Sequence, residues 1–266
     1  MFKLSRMKKT IISLTLSILL IGFSERSFAW GKKGHELVAE IAFHFLDDST
    51  KKIVQQYLGK ITIEEAATWM DENRSNSYYD FAKPWHYCDV EKGLDYIPSA
   101  EKNMITILFS AINELKNRDK MKLKDIKRDI LVIFHLMGDL HQPLHCGYSS
   151  DKGGNSIDIT SDVVSGNLHG VWDTQIIEAR GIQLDDCLHF YDSLGYNKID
   201  SIKKISVLSW YKQSRSYLDF VYSFKNNFLD KNYIDESEEI IKKQLLRGGL
   251  RLASVLKEVF NPAAKA

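Results

Sequence analysis

Proline and glycine are scarce: four and fifteen in 266 residues. A β fold with many tight turns draws heavily on both, so long helices are the easier reading. Cysteine is scarcer still. Three thiols, Cys88, Cys146 and Cys187, are an odd number, and the sequence selects no disulfide pair among them. Cys88 closely follows His86 and Cys146 follows His145, so these two are expected near each other as buried bystanders. Charge of one sign is not in excess, with 36 basic residues against 35 acidic. No internal repeat, low-complexity tract or Pro/Ser linker divides the chain. Hydrophobic residues at 44% and charged residues at 27% are ordinary globular proportions. The expectation is one domain with a mainly α-helical, all-α fold.

The beginning reads differently. Lys3, Arg6, Lys8 and Lys9 precede an apolar run from Ile11 to Phe23, too short for a comfortable membrane span. Ser27-Phe28-Ala29 then offers a small-x-small cleavage site. Residues 1–29 are expected to be a secretory signal peptide, and residues 30–266 the mature domain, periplasmic or extracellular. Cleavage removes five basic residues and one acidic one, leaving 31 against 34, a net charge of −3. That balance excludes a strongly basic nucleic-acid clamp. Any pull on an anionic substrate must come from bound cations and a few local Lys or Arg. No membrane contact is expected once the leader is gone.

The stretch that organises the chain is Phe134-His135-Leu136-Met137-Gly138-Asp139-Leu140-His141-Gln142-Pro143-Leu144-His145. An amphipathic segment from Lys124 feeds into it. His135 and Asp139 stand one helical turn apart on one face. Pro143 cannot continue the ladder, so a helix from Lys124 should end near Gln142, with His145 turning back toward that end. Imidazole plus carboxylate is a zinc donor set.

The other elements frame this helix. A first helix carries Leu37, Val38, Ile41, Ala42, Phe45 and Leu46 on one face. Ser49 or Thr50 should cap a second, through Leu58. Thr62 and Glu65 form a capping box for a short helix to Asp71. Residues 73–83 read as a polar loop, with an extended stretch before Pro84. Ser99 to Lys116 is amphipathic. Ile157 and Ile159, alternating with Asp158 and Thr160 and followed by Val163-Val164, make one small β-hairpin. Helix is expected again from Asn167 to Ala179, Leu184 to Leu194, Ile199 to Phe228 and Glu236 to Phe260.

Further donors are spread along the chain. His169 and Asp173 repeat the i, i+4 pairing, Asp71 and His86 flank the polar loop, and His35 lies five residues past Trp30. His44, His141 and His189 are read as structural, with His141 a candidate support for a ligand.

Six motifs occur in order: Trp30-x4-His35, Trp69-x-Asp71-x-x-Arg74, Trp85-His86-Tyr87, His135-x3-Asp139-x-His141-Gln142-Pro143-Leu144-His145, Gly153-Gly154-Asn155 and Asn167-Leu168-His169-x-Val171-Trp172-Asp173. The set resembles the three-zinc, single-strand-specific nucleases, the fungal and plant type I enzymes and their bacterial relatives. The resemblance spans Trp30 to about Asp173; beyond it the C-terminal helices match in type alone. It implies the phospholipase C/nuclease-type helical fold and three Zn2+ ions. Asp71, His86, His135 and Asp139 would hold one, and His145, His169 and Asp173 a second. The amino group and carbonyl of Trp30, with His35 and Asp139, would hold a third, so that signal cleavage completes the site.

The implied activity is endonucleolytic hydrolysis of single-stranded RNA and DNA to 5′-phosphorylated products by a monomer, with 3′-nucleotides as further substrates. Zinc would bring the pKa of bound water toward ~7. Asp71 would orient the water and Arg74 would meet a phosphate oxygen. Tyr87 would stack on a base, with Asp89 and Asn155 at its edges; the family more often has Phe where this chain has Tyr87. The competing reading is a zinc-dependent phospholipase C acting on phospholipid headgroups. Those enzymes typically carry Glu at the position of Asp173 and a longer spacing from the terminal Trp to the first His.

Overall fold

Capping side chains set the start of several helices. The computed structural model describes residues 30–261, so the signal-peptide reading falls outside the described residues. Helix α1 (Lys32–His44) leads into α2 (Asp48–Leu58). The cap of α2 is Asp47, two residues before Ser49 and three before Thr50, the expected caps: its carboxylate accepts from the Thr50 amide at 2.9 Å and from the Thr50 hydroxyl. Thr62 and Glu65 exchange hydrogen bonds of 3.2 and 2.8 Å to start α3 (Ile63–Glu72), as read from the sequence.

Residues 77–86 are not loop. Ser77–His86 is a 3-10 segment, and Pro84 lies inside it rather than after an extended stretch. Asn76 caps it, and edge-to-face rings brace it, among them Phe81 on Trp85 at 5.3 Å. Helix α4 (Met104–Lys116) starts five residues later than Ser99, because the Asn103 side chain takes the amides of Ile105 and Thr106. Helix α5 (Leu123–Asp139) stops three residues short of Gln142. The amides of His141 and Gln142 turn inward to the carbonyls of Gly138 and Asp139, and Pro143–Cys146 forms a 3-10 turn. From Asp129 to Asp139 every residue of α5 is buried, as for a helix surrounded by protein.

The hairpin pairs β1 (Asp158–Thr160) with β2 (Ser165–Asn167), antiparallel, with Ile159 opposite Gly166. The helix expected over 167–179 is three pieces: α6 (Leu168–Gly170), a π-turn (Val171–Gln175) and α7 (Ile176–Arg180). Next come α8 (Leu184–Asp192), α9 (Tyr196–Lys203), α10 (Val207–Arg215) and α11 (Leu218–Val221). The single helix expected over 199–228 therefore breaks twice. The Trp210 indole holds the Lys204 carbonyl at 3.0 Å, and the main chain of Asn227 and Leu229 pairs with Thr160 of β1. Helix α12 (Lys231–Phe260) begins five residues before Glu236, with Asp230 capping the Tyr233 amide at 2.8 Å.

Helices α1, α3, α5 and α12 share the core, and α12 lies along α1. Their crossing is close because of Gly249: a Cβ there would sit 2.3 Å from Ile41 Cγ2. A buried polar contact joins α12 to the end of α5. Arg251 donates to His141 Nε2 at 2.6 Å, while His141 Nδ1 donates to the Met137 carbonyl at 2.7 Å. His141 is thereby a strut between helices. All three cysteines are buried free thiols, and burial pushes Cys88 and Cys187 up to about 12. Among the described residues, no helix is long and apolar enough to cross a membrane.

Candidate metal centre

The C-terminal end of α5 delivers His135 and Asp139, and the turn at Pro143 returns His145 to the same place. Helix α3 brings Asp71 and the 3-10 segment brings His86. Helix α1 brings His35, and the π-turn region brings His169 and Asp173. None of these eight residues is more than 8% exposed. They form three groups whose donor atoms lie within 4.8 Å of one another: His35, His135 and Asp139; Asp71, His86 and His135; His145, His169 and Asp173.

Asp139 joins the first two groups through its two oxygens. Oδ1 faces His35 Nε2 at 3.3 Å; Oδ2 faces His86 Nδ1 at 3.1 Å and His135 Nε2 at 3.4 Å. Asp71 Oδ1 lies 3.7 Å from His86 Nδ1 and 3.8 Å from His135 Nε2. In the third group, Asp173 Oδ2 is 3.2 Å from His169 Nε2, and Asp173 Oδ1 is 3.7 Å from His145 Nε2.

Three imidazoles are aimed by the backbone. Nδ1 of His135 donates to the Ala67 carbonyl at 2.7 Å, that of His145 to the His86 carbonyl at 2.6 Å, and that of His169 to the Gly153 carbonyl at 2.6 Å. Each bond fixes the tautomer that leaves a lone pair on Nε2 turned into the cluster, the usual support for a metal-binding histidine. His35 lies flat on His135, with ring centroids 4.1 Å apart and planes 11° apart. Its other neighbour is Gly138, where a Cβ would be 2.4 Å from His35 Nδ1. A glycine in the middle of a buried helix is thus what admits the ring.

Sequence reasoning did not single out Gly138 as a residue of the site, nor Gln142. The Gln142 amide donates to Asp173 Oδ1, and its oxygen accepts from the Leu144 amide at 2.5 Å. The available signal was its place in the His-Gln-Pro-Leu-His run. His44 and His189 are exposed and outside the cluster.

Electrostatics bear on what belongs here. Burial raises the Asp71 carboxyl, and the Asp139 charge adds to this against His35 and His86. Burial drives His135 well below its ordinary value, although Asp139 opposes. Burial also works against ionising Asp139 and Asp173, but the imidazoles outweigh it and hold Asp139 well below the carboxylate range and Asp173 at about 2. Burial opposes a charge on His145 too, yet Asp139 and Asp173 lift it to about 9. Several buried atoms have no hydrogen-bond partner: both nitrogens of His35 and one oxygen each of Asp71, Asp139 and Asp173. Stranded buried acceptors are costly. Convergent lone pairs and carboxylate charge, left without donors, fit divalent cations of the zinc type.

Above the cluster opens a cavity of about 640 Å³. Arg74, His86, Tyr87, Asp89, Asn155, His145 and His169 all line it, so the structure gathers the residues that the sequence had suggested for substrate with the donors. Arg74 Nη1 is 3.9 Å from Asp71 Oδ1. Burial lifts the Asp89 carboxyl to about 6 against the pull of His145 and His169. Trp30 is fully buried just ahead of α1, and the Gly31 amide donates to the Asp173 carbonyl at 2.7 Å.

Fold and site together define a mainly helical protein with a buried imidazole–carboxylate nest that can hold several metal ions at the floor of a cleft. The family described as S1/P1 Nuclease matches residues 30–261, and the chain belongs to it. It is a nuclease, a hydrolase of phosphodiester bonds. It is 28% identical to Nuclease S1 of Aspergillus oryzae, over 91% of this chain and 96% of that protein. Endonuclease 2 of Arabidopsis thaliana is 26% identical, over 94% of this chain and 97% of that one. Nuclease P1 of Penicillium citrinum is 25% identical, over 86% and 97%.

Proposed function

We propose that this protein is an exported, zinc-dependent endonuclease that cuts single-stranded RNA and DNA to 5′-phosphorylated products and also removes the phosphate of 3′-nucleotides. Residues 1–29 are the leader and 30–266 the monomeric catalytic domain. The observation that carries the reading is the set of partnerless buried donor atoms beneath a cleft that also holds an arginine, an exposed tyrosine and a carboxylate. Asp71, His86, His135 and Asp139 would hold one ion, and His145, His169 and Asp173 another. His35, Asp139 and the Trp30 main chain, freed by cleavage after Ala29, would hold a third. Bound there, zinc supplies an acidified water and neutralises charge on phosphate oxygens.

The chain's own residues have separate tasks. Arg74 meets a non-bridging phosphate oxygen with a charge-assisted hydrogen bond. Asp71 orients the attacking water in line with the leaving 3′ oxygen. Tyr87, 44% exposed at the cleft, stacks on the base of the nucleotide that loses its phosphate. Asp89 and Asn155 meet base edges. A base held this way must be unstacked first, which favours single strands. The Asp89 carboxyl, raised toward neutrality by burial, is able to donate as well as accept in mild acid. The relatives named above are nucleases rather than lipases, which supports this reading over the phospholipase.

The test uses the mature protein with its first residue sequenced. Metal content is measured, then hydrolysis of single-stranded RNA, single-stranded DNA, duplex DNA and phosphatidylcholine, with and without chelator. Zinc at the start, loss of single-strand cleavage on chelation and recovery with added zinc are expected. Asp71→Asn should lower kcat by about 10²-fold or more. A metal-free protein that still cuts, or one that cleaves phosphatidylcholine in preference to nucleic acid, overturns the proposal.

A further inference from the structure

Arg74 and His86 line two cavities. One is the 640 Å³ cleft; the other, about 60 Å³, opens on the far side of the 3-10 segment, among Trp69, Tyr79, Phe81 and Trp85. Pro84 lines the first and Trp85 the second, so consecutive residues wall opposite sides. The rings run without a break: Trp69 to Tyr79 at 5.2 Å, Tyr79 to Phe81 at 6.4 Å, Phe81 to Trp85 at 5.3 Å, and Tyr78 against Tyr79 at 5.0 Å. Ring clusters of this kind normally fill a core. Here Tyr78 is 74% exposed and Phe81 57%. The indole N–H of Trp85 is buried without an acceptor.

We propose that the cluster of Tyr78, Tyr79, Phe81 and Trp85 is a second nucleobase site, taking the base immediately 3′ of the scissile phosphate. This rests on the nuclease reading above, in which the nucleotide losing its 3′ oxygen occupies the Tyr87 side of Arg74. With the phosphate at Arg74, the strand leaves that residue toward the second cavity. The second cavity is about a tenth the volume of the cleft and is walled by rings, so the base lies across the rings rather than within an enclosed pocket. Stacking rather than charge is the source of affinity. Lys83 is paired with Asp80 at 2.6 Å, and Arg128 with Asp129 at 2.8 Å. Such contacts tolerate any base, since each presents a π face. They also demand an unpaired one, which places a second single-strand filter beside the first.

Two dinucleoside monophosphates test this, because each has one cleavable bond. One carries thymine on both sugars; the other has an abasic sugar 3′ of the phosphate. The wild-type holoenzyme should favour the first by roughly tenfold in kcat/KM, mainly through KM. Phe81→Ala and Tyr78→Ala should each narrow that preference, and Phe81→Trp should restore it. Both positions are exposed, so melting temperatures should hold. Wild-type enzyme that treats the two substrates alike overturns the inference, as does Phe81→Ala lowering both equally. If the wild-type enzyme cleaves neither these nor longer strands, the nuclease reading itself has failed.

Discussion

Gly138→Ala separates the metal nest from ordinary packing. In a helix interior this change normally gains about 1 kcal/mol from propensity. Here the new methyl would stand 2.4 Å from His35 Nδ1 and 2.7 Å from Cε1, against about 3.4 Å for ordinary contact. The imidazole must retreat by roughly 1 Å, and its freedom is limited by the stack on His135. Overpacking of this size costs about 1–3 kcal/mol, so net stability should fall by no more than about 2 kcal/mol. The metal complement should change far more, because ligation tolerates only about 0.2 Å of error. The expected result is loss of the ion proposed at His35, with those proposed at the other groups retained. Elemental analysis of the purified variant measures this beside its melting temperature. Gly249→Ala is the control: it drives a methyl into Ile41, away from the donors. It should lower the melting temperature and keep every ion. A Gly138→Ala protein with full metal content and wild-type activity would refute the reasoning.

Gln142→Leu removes the donor to Asp173 and the acceptor for the Leu144 amide; if the His145, His169 and Asp173 group holds zinc as proposed, its affinity should fall by about 10–100-fold, read by competition with a graded chelator. Asp129 tests the pH dependence of the fold. Burial, only partly offset by Arg128, pushes its carboxyl up to about 6, so the folded state holds that proton more tightly than the unfolded chain, near 3.9. The stabilisation is fully present below about pH 4 and fades as pH rises through about 6. Asp129→Asn should therefore narrow the difference in melting temperature between pH 5 and pH 7.5, and an unchanged difference would count against the assignment.

The donors were legible because each lies in a short motif. His135 and Asp139 share a helix face whatever surrounds them, and Thr62 with Glu65 writes a helix start locally. What was not legible depends on distant partners. Gly138 matters only because His35, on another helix, leans against it. The helix expected to run on to 228 ends at Val221, and β1 claims the main chain of Asn227 and Leu229 beyond it. The 3-10 segment is set by ring packing that no period announces, and its aromatic face therefore looked like polar loop. The late start of α4 was readable: Asn103 with Thr106 is a capping pair, but the apolar spacing drew the boundary back to Ser99.

The carbonyl hooks on His135, His145 and His169 have an evolutionary consequence. Oxygens of the main chain belong to every residue type, so replacing the side chain of Ala67 leaves its hook in place so long as the helix persists. Aim is inherited with the path of the chain rather than with particular letters. A centre guided this way can ride through heavy drift in the surrounding text and keep its bite.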